Sequence, residues 1–324
     1  MAKVVREELI RRLSEGKFVS GQLLAEQLDV SRTAISKHIK ALGEMGLDIF
    51  SVQGKGYKLA SPIHLLNQQQ MQDNLRELDC NNMVEVHSII DSTNSYLMRR
   101  LPNNVVHGQA CVSEFQSAGR GRRGKQWVSP FSSHLYLSMY WRLEQGIAAA
   151  MGVSVVVGLA VSDVLQRHYN LDVELKWPND IYVEGKKLAG ILVELEGQSI
   201  GPGNCVIGLG LNINMPQMMA EQIDQPWTDL NRELARQVDR NLLAAQLIAS
   251  ISARLEQHLQ FGLAPMILEW QRQDYFYNKP VKLIAGSNET RGICKGINAS
   301  GALLLEVDGK VQPVYGGEVS LRGG

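Results

Sequence analysis

Residues 119–127 read GRGRRGKQW, and the reading of this stretch decides the fold. Gly119, Gly121 and Gly124 satisfy the G-x-G-x-x-G spacing of dinucleotide-binding loops, and a strand-like run, ACVSEFQ (110–116), precedes them. Such a loop works only where a helix follows, because the helix N-terminus supplies the dipole and free amides for a pyrophosphate. Here the chain continues VSPFSSHLYLSMYW (128–141): a proline, three serines among apolar residues, then strand alternation from His134. A doubly wound dinucleotide fold is therefore excluded. The arginines need another reading. Arg120, Arg122, Arg123 and Lys125 beside Trp127 could form a nucleic-acid patch, but the glycines would be wasted on one. A Gly-Arg-Gly-Arg loop lets main-chain amides close on an oxyanion while guanidiniums reach it in bidentate fashion. A nucleoside monophosphate or a mixed anhydride suits that chemistry.

Strands and helices alternate around the loop. MVEVHSII (83–90) reads as a strand, and DSTNSYLMRRL (91–101) opens a helix with Asp91, Ser92 and Thr93 at its start. IAAAMGVSVVVGLAVS (147–162) is the longest uncharged apolar run; it is too short to span a bilayer and reads as a helix buried in a large domain. VELKWPNDIYVEGKKLAGILVELEG (173–197) and CVIGLGLNIN (205–214) are strand-rich. This is a mixed α/β domain over 83–275. From 276 to 324, KPVKLIAG, ETRGICKGI, GALLLEVDG and KVQPVYGGEVSL are short strands at close spacing, as in a small SH3-like β-barrel.

Residues 1–60 form a module of their own. Val5, Leu9, Ile10 and Leu13 keep helical spacing, and Gly16 ends that helix. Ser20 can cap a helix carrying Leu23, Leu24 and Leu28; after a turn at Asp29 and Val30, Ser31 can cap another with Ile35, Ile39 and Leu42 inward. Two short helices across a tight turn are a helix-turn-helix unit, whose second helix enters the DNA major groove. Between Ser31 and Leu42 there is no acid, and Ser31, Arg32, Thr33, Ser36, Lys37 and Lys40 are the candidate DNA contacts. IFSVQGKGYKL (49–59) reads as a β-hairpin wing offering Lys55. Ten Lys/Arg against seven Asp/Glu over residues 1–60 is a modest excess, so affinity calls for two modules in a dimer. Residues 61–82 are a linker and a polar helix, Asn67 to Asp79. The fold class is thus multidomain α/β (α+β): winged helix-turn-helix, mixed α/β core, small barrel.

The 324 residues, 44% hydrophobic and 20% charged with no net charge, match a globular protein and argue against a uniformly basic nucleic-acid binder. Cys80, Cys111, Cys205 and Cys294 are widely spaced, as reduced thiols of a cytoplasmic protein would be. No secretory signal opens the chain, and no membrane partner is expected. No carboxylate cluster marks a dedicated metal site.

QSAGRGRRGKQWVSP (116–130), KWPNDIYVEGKKLAGILVE (176–194) and IDSTN (90–94), with the winged module in front, resemble the bifunctional, DNA-binding biotin protein ligases of bacteria, the biotin operon repressors of enteric type. The resemblance covers essentially the whole chain. It implies an ATP-dependent enzyme that makes biotinyl-5′-AMP from biotin and MgATP and passes the biotinyl group to a lysine of the biotin carboxyl carrier protein of acetyl-CoA carboxylase. It further implies that Ser92, Thr93, Asn94 and Gln116 bind the ureido head of biotin; Ser92 can also serve as a helix cap. Arg120, Gly121 and Arg122 would cover the biotin carboxylate and the phosphate, and Lys187 would bridge them. Asp180 would orient or deprotonate the acceptor amine, or cap the turn after Pro178. Asn179, Gly210, Asn212 and Trp227 would border the adenylate, the last on a loop, MPQMMAEQIDQPW (215–227), that orders over it; Met218 and Ile223 are further apolar residues there.

At Lys125 the family commonly has arginine, which leaves Lys125 outside the site. The resemblance also implies a homodimer when biotinyl-5′-AMP is bound, operator DNA as its partner, and repression of biotin-synthesis genes with the adenylate as corepressor. A lipoate ligase shares the core logic, but the GRGRRG–KWPND pairing and the winged N-terminus fit biotin better; a ligand-sensing repressor without ligase activity would lose the catalytic set, whereas Arg120, Arg122 and Lys187 are all present.

Overall fold

The computed structural model describes residues 2–101, 103–144, 146, 150, 152–197, 201–315 and 319–324. Three helices, α1 (Ala2–Leu13), α2 (Gly21–Gln27) and α3 (Arg32–Glu44), lead into a hairpin of β1 (Ile49–Val52) and β2 (Gly56–Leu59). Ser20 and Ser31 cap α2 and α3, accepting from the amides of Gln22 and Ala34. Val5, Leu9, Ile10, Leu13, Leu24, Ile35, Ile39 and Leu42 form the core expected of them, whereas Leu23 faces solvent.

After α4 (Gln68–Glu77) come β3 (Val84–His87), α5 (Thr93–Met98), β4 (Ala110–Ser113), β5 (His134–Leu143) and α6 (Val153–Tyr169). Then follow β6 (Glu174–Lys176), β7 (Asp180–Val183), β8 (Lys186–Gly197) and β9 (Gly203–Asn212). These seven strands make one sheet in the order β3-β4-β5-β9-β8-β7-β6, parallel at β3–β4 and antiparallel elsewhere. The expected buried helix is α6, but its first turn is at Val153, where Gly152 at φ 84° ends the preceding loop. Ile147, Ala148, Ala149 and Met151 lie outside the described residues.

Two short helices, α7 (Gln217–Ala220) and α8 (Leu230–Leu234), precede α9 (Arg240–Phe261) and α10 (Ile267–Gln273). The 22-residue α9 is absent from the sequence reading, yet it packs on α4, α6 and β5 and buries Leu243, Leu247, Ile251 and Leu255.

The last five strands are β10 (Pro280–Ala285), β11 (Asn288–Ile297), β12 (Leu303–Val307), β13 (Lys310–Val314) and β14 (Val319–Gly323). They form an antiparallel sheet in which β14 returns beside β10. Its inner residues Val281, Leu283, Cys294, Leu303, Leu305 and Leu321 belong to the same hydrophobic core as the large sheet. All four cysteines are buried free thiols. Among the described residues no helix is long and apolar enough to cross a membrane.

Candidate active site

Residues 119–127 fold as a small hairpin, with Arg120 bridged to Gln126 and a single 3₁₀ turn at Arg122–Gly124. No α-helix follows before β5, as the sequence requires. Gly119 is demanded by close approach: a Cβ there would lie 2.6 Å from Ser129 Oγ and 2.7 Å from the Trp127 carbonyl. One expectation is corrected. The Gly121 amide donates to the Lys125 carbonyl at 2.7 Å, so it closes the hairpin and is not offered to an oxyanion.

The loop covers a cavity of about 540 Å³ above β5, β9 and β8. Ser92 caps α5, accepting from the Ser95 amide, which delivers Thr93 and Asn94 to the cavity wall. Gln116 Oε1 accepts from the Thr93 amide at 2.9 Å and from its hydroxyl at 3.2 Å. Ser138 Oγ lies 2.7 Å from Thr93 Oγ1 and 2.5 Å from Asn94 Oδ1. Asn94 Nδ2 donates to Glu194 Oε2 at 2.8 Å and to the Leu192 carbonyl at 3.2 Å. Arg120 closes the chain on Ser95 Oγ at 2.9 Å and on Glu194 at 3.1 Å. This is a connected set of donors and acceptors, buried at Thr93, Asn94 and Ser138 and more open at Gln116, Glu194 and Arg120, suited to a neutral polar head group. Gly208 makes room for it, since a Cβ there would meet Asn94 Oδ1 at 2.3 Å.

Further along β8 the character changes. Asn179 is clasped to Ile191: its carbonyl accepts from the Ile191 amide at 2.9 Å, and its Nδ2 donates to the Ile191 carbonyl at 2.8 Å. Its Oδ1 accepts from Arg122 Nη1 at 3.2 Å. Burial lowers the pKa of Arg122 from its usual value, Asp180 offsetting the effect and Arg123 adding to it; a guanidinium remains charged all the same. Lys187 Nζ pairs with Asp180 Oδ1 at 2.8 Å, with both side chains mostly buried. This pairing with Lys187 is a contact that the sequence reading did not assign to Asp180.

Sequence reasoning missed several residues. Trp127 packs over Gly210 and Gly190, where Cβ atoms would come within 2.4 and 3.0 Å of the indole, and Lys187 Nζ stands 5.5 Å from its ring centre. Lys176 donates to the Tyr182 hydroxyl at 3.1 Å, and burial pulls its pKa down while Asp180 opposes the effect. Both sit inside the quoted motifs, so they could have been found. Arg322, carried in by β14, could not, because only the return of that strand beside β10 brings it to the cavity. In all, seven lining cations face two carboxylates, Asp180 and Asp224, among the described residues.

Two expected residues do not line the cavity. Asn212 is buried with Nδ2 donating to the Thr228 carbonyl at 3.1 Å, and Trp227 lies beneath the Arg232 guanidinium, 4.2 Å from its ring centre.

The candidate DNA contacts sit elsewhere. Arg32, Thr33, Ser36, Lys37 and Lys40 share the exposed face of α3, Lys55 is exposed on the wing, and Ser31 spends its hydroxyl on the cap. Phe131 of the ligase segment is buried in the core of this module, and its amide donates to the Met45 carbonyl at 2.8 Å.

A winged module in front of a sheet whose one cavity has a polar end and a cationic end defines a class: protein ligases of the biotin/lipoate kind with a DNA-type domain. Family models agree. The biotin/lipoate A/B protein ligase family matches residues 86–212, an HTH domain matches 5–58, and the biotin protein ligase C-terminal domain matches 276–322. The chain is 49% identical to the bifunctional ligase/repressor BirA of Escherichia coli over 97% of its own length and 96% of that protein's. It is 49% identical to the namesake of Salmonella typhimurium over the same shares. Among solved structures, the biotin protein ligase from Aquifex aeolicus in complex with biotin and ATP aligns with a TM-score of 0.65 at 26% identity, covering 74% of this chain and 99% of that one. The chain belongs to the bifunctional ligase/repressor branch of the biotin protein ligases.

Proposed function

We propose that the chain condenses biotin with MgATP to biotinyl-5′-AMP, transfers the biotinyl group to a lysine of the biotin carboxyl carrier protein, and represses transcription as an adenylate-bound homodimer. The observation that carries the ligase reading is the change of character along β8. The hydrogen-bonded set, in which the Arg120 and Glu194 charges offset each other, meets the strand at Leu192–Glu194, and the set holding Arg122 and Lys187 meets it at Lys187–Ile191. A ureido head and a carboxylate-phosphate pair need those two environments side by side.

In the first step a biotin carboxylate oxygen attacks the α-phosphorus of ATP; the acyl-phosphate bond forms as pyrophosphate leaves. Both reactants are anions, and fixed cations in a partly dry cavity lower their repulsion without reorganising. Arg122, held by Asn179, and Lys187, held by Asp180, are pre-placed for this. Gly210 keeps space beside the adenylate by accepting the Trp127 ring. Magnesium enters with ATP. In the second step the acceptor amine attacks the acyl carbon, AMP leaves, and the amine's proton passes to the Asp180 carboxylate in the cavity wall. Operator binding is supported by the exposed basic face of α3 and by the wing, and buried reduced thiols accord with a cytoplasmic setting.

The test is incubation with biotin, MgATP and a carrier domain, following the acceptor lysine by mass spectrometry, with lipoate in parallel and an Arg122→Gly variant alongside. Biotinylation that requires ATP, ignores lipoate and leaks free adenylate in the variant is the expected result. Transfer of lipoate instead, or no transfer with biotin still tightening DNA binding, overturns it.

A further inference from the structure

Beyond Asn212 the outgoing limb of the 215–227 loop is fixed at its start: the Ile213 amide donates to His134 Nδ1 at 3.0 Å, and the Asn214 amide to the Ser133 carbonyl at 2.8 Å. The returning limb does something different. At the head of β8, where pairing with β9 begins only at Ala189, Trp227 forms a parallel bridge to Lys187. The Lys187 amide donates to the Pro226 carbonyl at 3.0 Å, and the Thr228 amide donates to the Lys187 carbonyl at 2.9 Å. Asn212 Nδ2 holds the Thr228 carbonyl, Asp229 Oδ2 accepts from the Met215 amide at 3.1 Å, and the Asn231 amide donates to the Ile213 carbonyl at 2.9 Å. Both main-chain polar groups of Lys187 thus have partners on the loop, while its ammonium is aimed at Asp180.

We infer that residues 226–228 are a strap that positions Lys187, with Thr228 and Asn212 as positioning residues acting through that lysine. When the strap is docked, the backbone at Lys187 is fixed on the loop side as well as by β7, and the side chain inherits that placement. Closing the loop and placing the lysine are then one event. Asn212, expected at the adenylate, contributes from behind by holding Thr228. The inference rests on the role proposed above for Lys187. Displacement of a reacting group by about 1 Å costs on the order of a hundredfold in rate, so a slack strap is felt in chemistry before binding.

The experiment measures single-turnover adenylation, read as pyrophosphate release from biotin and MgATP, for Thr228→Pro, Thr228→Ala, Asn212→Ala, Lys187→Ala and the Thr228→Pro/Lys187→Ala double variant. Thr228→Pro removes the amide that holds Lys187. We expect a loss of about tenfold or more in the rate constant with the biotin KM changed much less, and a clearly smaller loss for Thr228→Ala. Residues acting as one unit are non-additive, so the double variant is expected to be no slower than Lys187→Ala alone. Asn212→Ala, which keeps the main chain, gives the same comparison should Thr228→Pro fail to fold. A double variant that loses the product of both single effects overturns the strap, as does an unimpaired Thr228→Pro beside a slow Lys187→Ala. A Lys187→Ala variant with full adenylation overturns instead the role of Lys187 on which the strap depends.

Discussion

Arg240 and Glu114 form a buried ion pair, Nη1 to Oε2 at 2.7 Å, with side chains 8% and 3% exposed. Arg240 also donates to the His64 carbonyl at 2.8 Å, to Ser132 Oγ at 2.9 Å and to the His134 carbonyl at 3.2 Å. Glu114 Oε1 accepts from the Leu66 amide, and the Asn67 amide donates to Asn241 Oδ1 at 2.7 Å. The stretch joining the winged module to the sheet is therefore gripped by charge from beneath, at the point where α9 begins.

Breaking that pair from one side is the first prediction. Arg240→Met leaves a carboxylate buried without its cation, and an uncompensated buried charge costs about 3–5 kcal/mol. Urea unfolding should show a loss of that order. Replacing both partners, Arg240→Met with Glu114→Leu, should restore part of it, and a double variant as unstable as Arg240→Met would contradict the account.

Gly208→Ala tests the polar end of the cavity. The added methyl would stand 2.3 Å from Asn94 Oδ1, so Asn94 must leave its contacts with Ser138 and Glu194. Overpacking of this kind costs about 1–3 kcal/mol, which predicts roughly 5- to 150-fold weaker biotin binding by calorimetry. Gly210→Ala pushes on Trp127 instead and should weaken adenylate retention more than biotin binding.

His134 predicts a pH dependence of stability. It is fully buried, with Nδ1 accepting from the Ile213 amide, and burial, with Arg240 nearby, pushes its pKa down to about 3. The unfolded chain takes up this proton below about pH 6.5, whereas the folded chain stays neutral there. Stability is then complete above that pH and falls as pH drops toward about 3, by up to about 1.4 kcal/mol per pH unit. His134→Asn keeps an acceptor for Ile213 and should flatten the decline between about pH 6 and pH 4; an unchanged slope would remove His134 as its source.

Removing one exposed cation from the α3 face should act uniformly on DNA. Lys37→Ala is expected to weaken binding to any duplex and to lower the slope of log affinity against log salt by about 0.9 per subunit. Fluorescence anisotropy across a salt series reads this directly. No change in slope would place Lys37 away from phosphate.

Local signals carried much of the fold. Caps at Ser20, Ser31 and Ser92, apolar spacing in α1 and α3, and the missing helix after Gly124 are each decided within a few residues, and the structure has them where the sequence puts them. The cavity brings together Ser92, Thr93, Asn94, Gln116, Arg120, Gly121, Arg122, Asn179, Asp180, Lys187 and Gly210 from four separated segments. What failed was of another kind. Whether the Gly121 amide is free depends on the hairpin closing at Lys125, and whether Asn212 faces the cavity depends on a loop returning sixteen residues later. Arg322 enters because β14 returns beside β10 within the five-stranded sheet. Helix α9 is legible in its spacing, since Leu243, Leu247, Ile251 and Leu255 recur at helical intervals.

The barrel shares one continuous core with the large sheet, while the winged module keeps a core of its own, plugged by Phe131. Three regions in sequence thus hold two cores, joined where Phe131 enters the smaller one. The ligase sheet and the barrel should melt as a single cooperative unit, so the barrel cannot be cut away without dissolving the enzyme. The front module is not a loose appendage: Phe131, with Ile89 and Phe115, packs into its core from the ligase segment, so cutting the module away bares apolar surface on the catalyst.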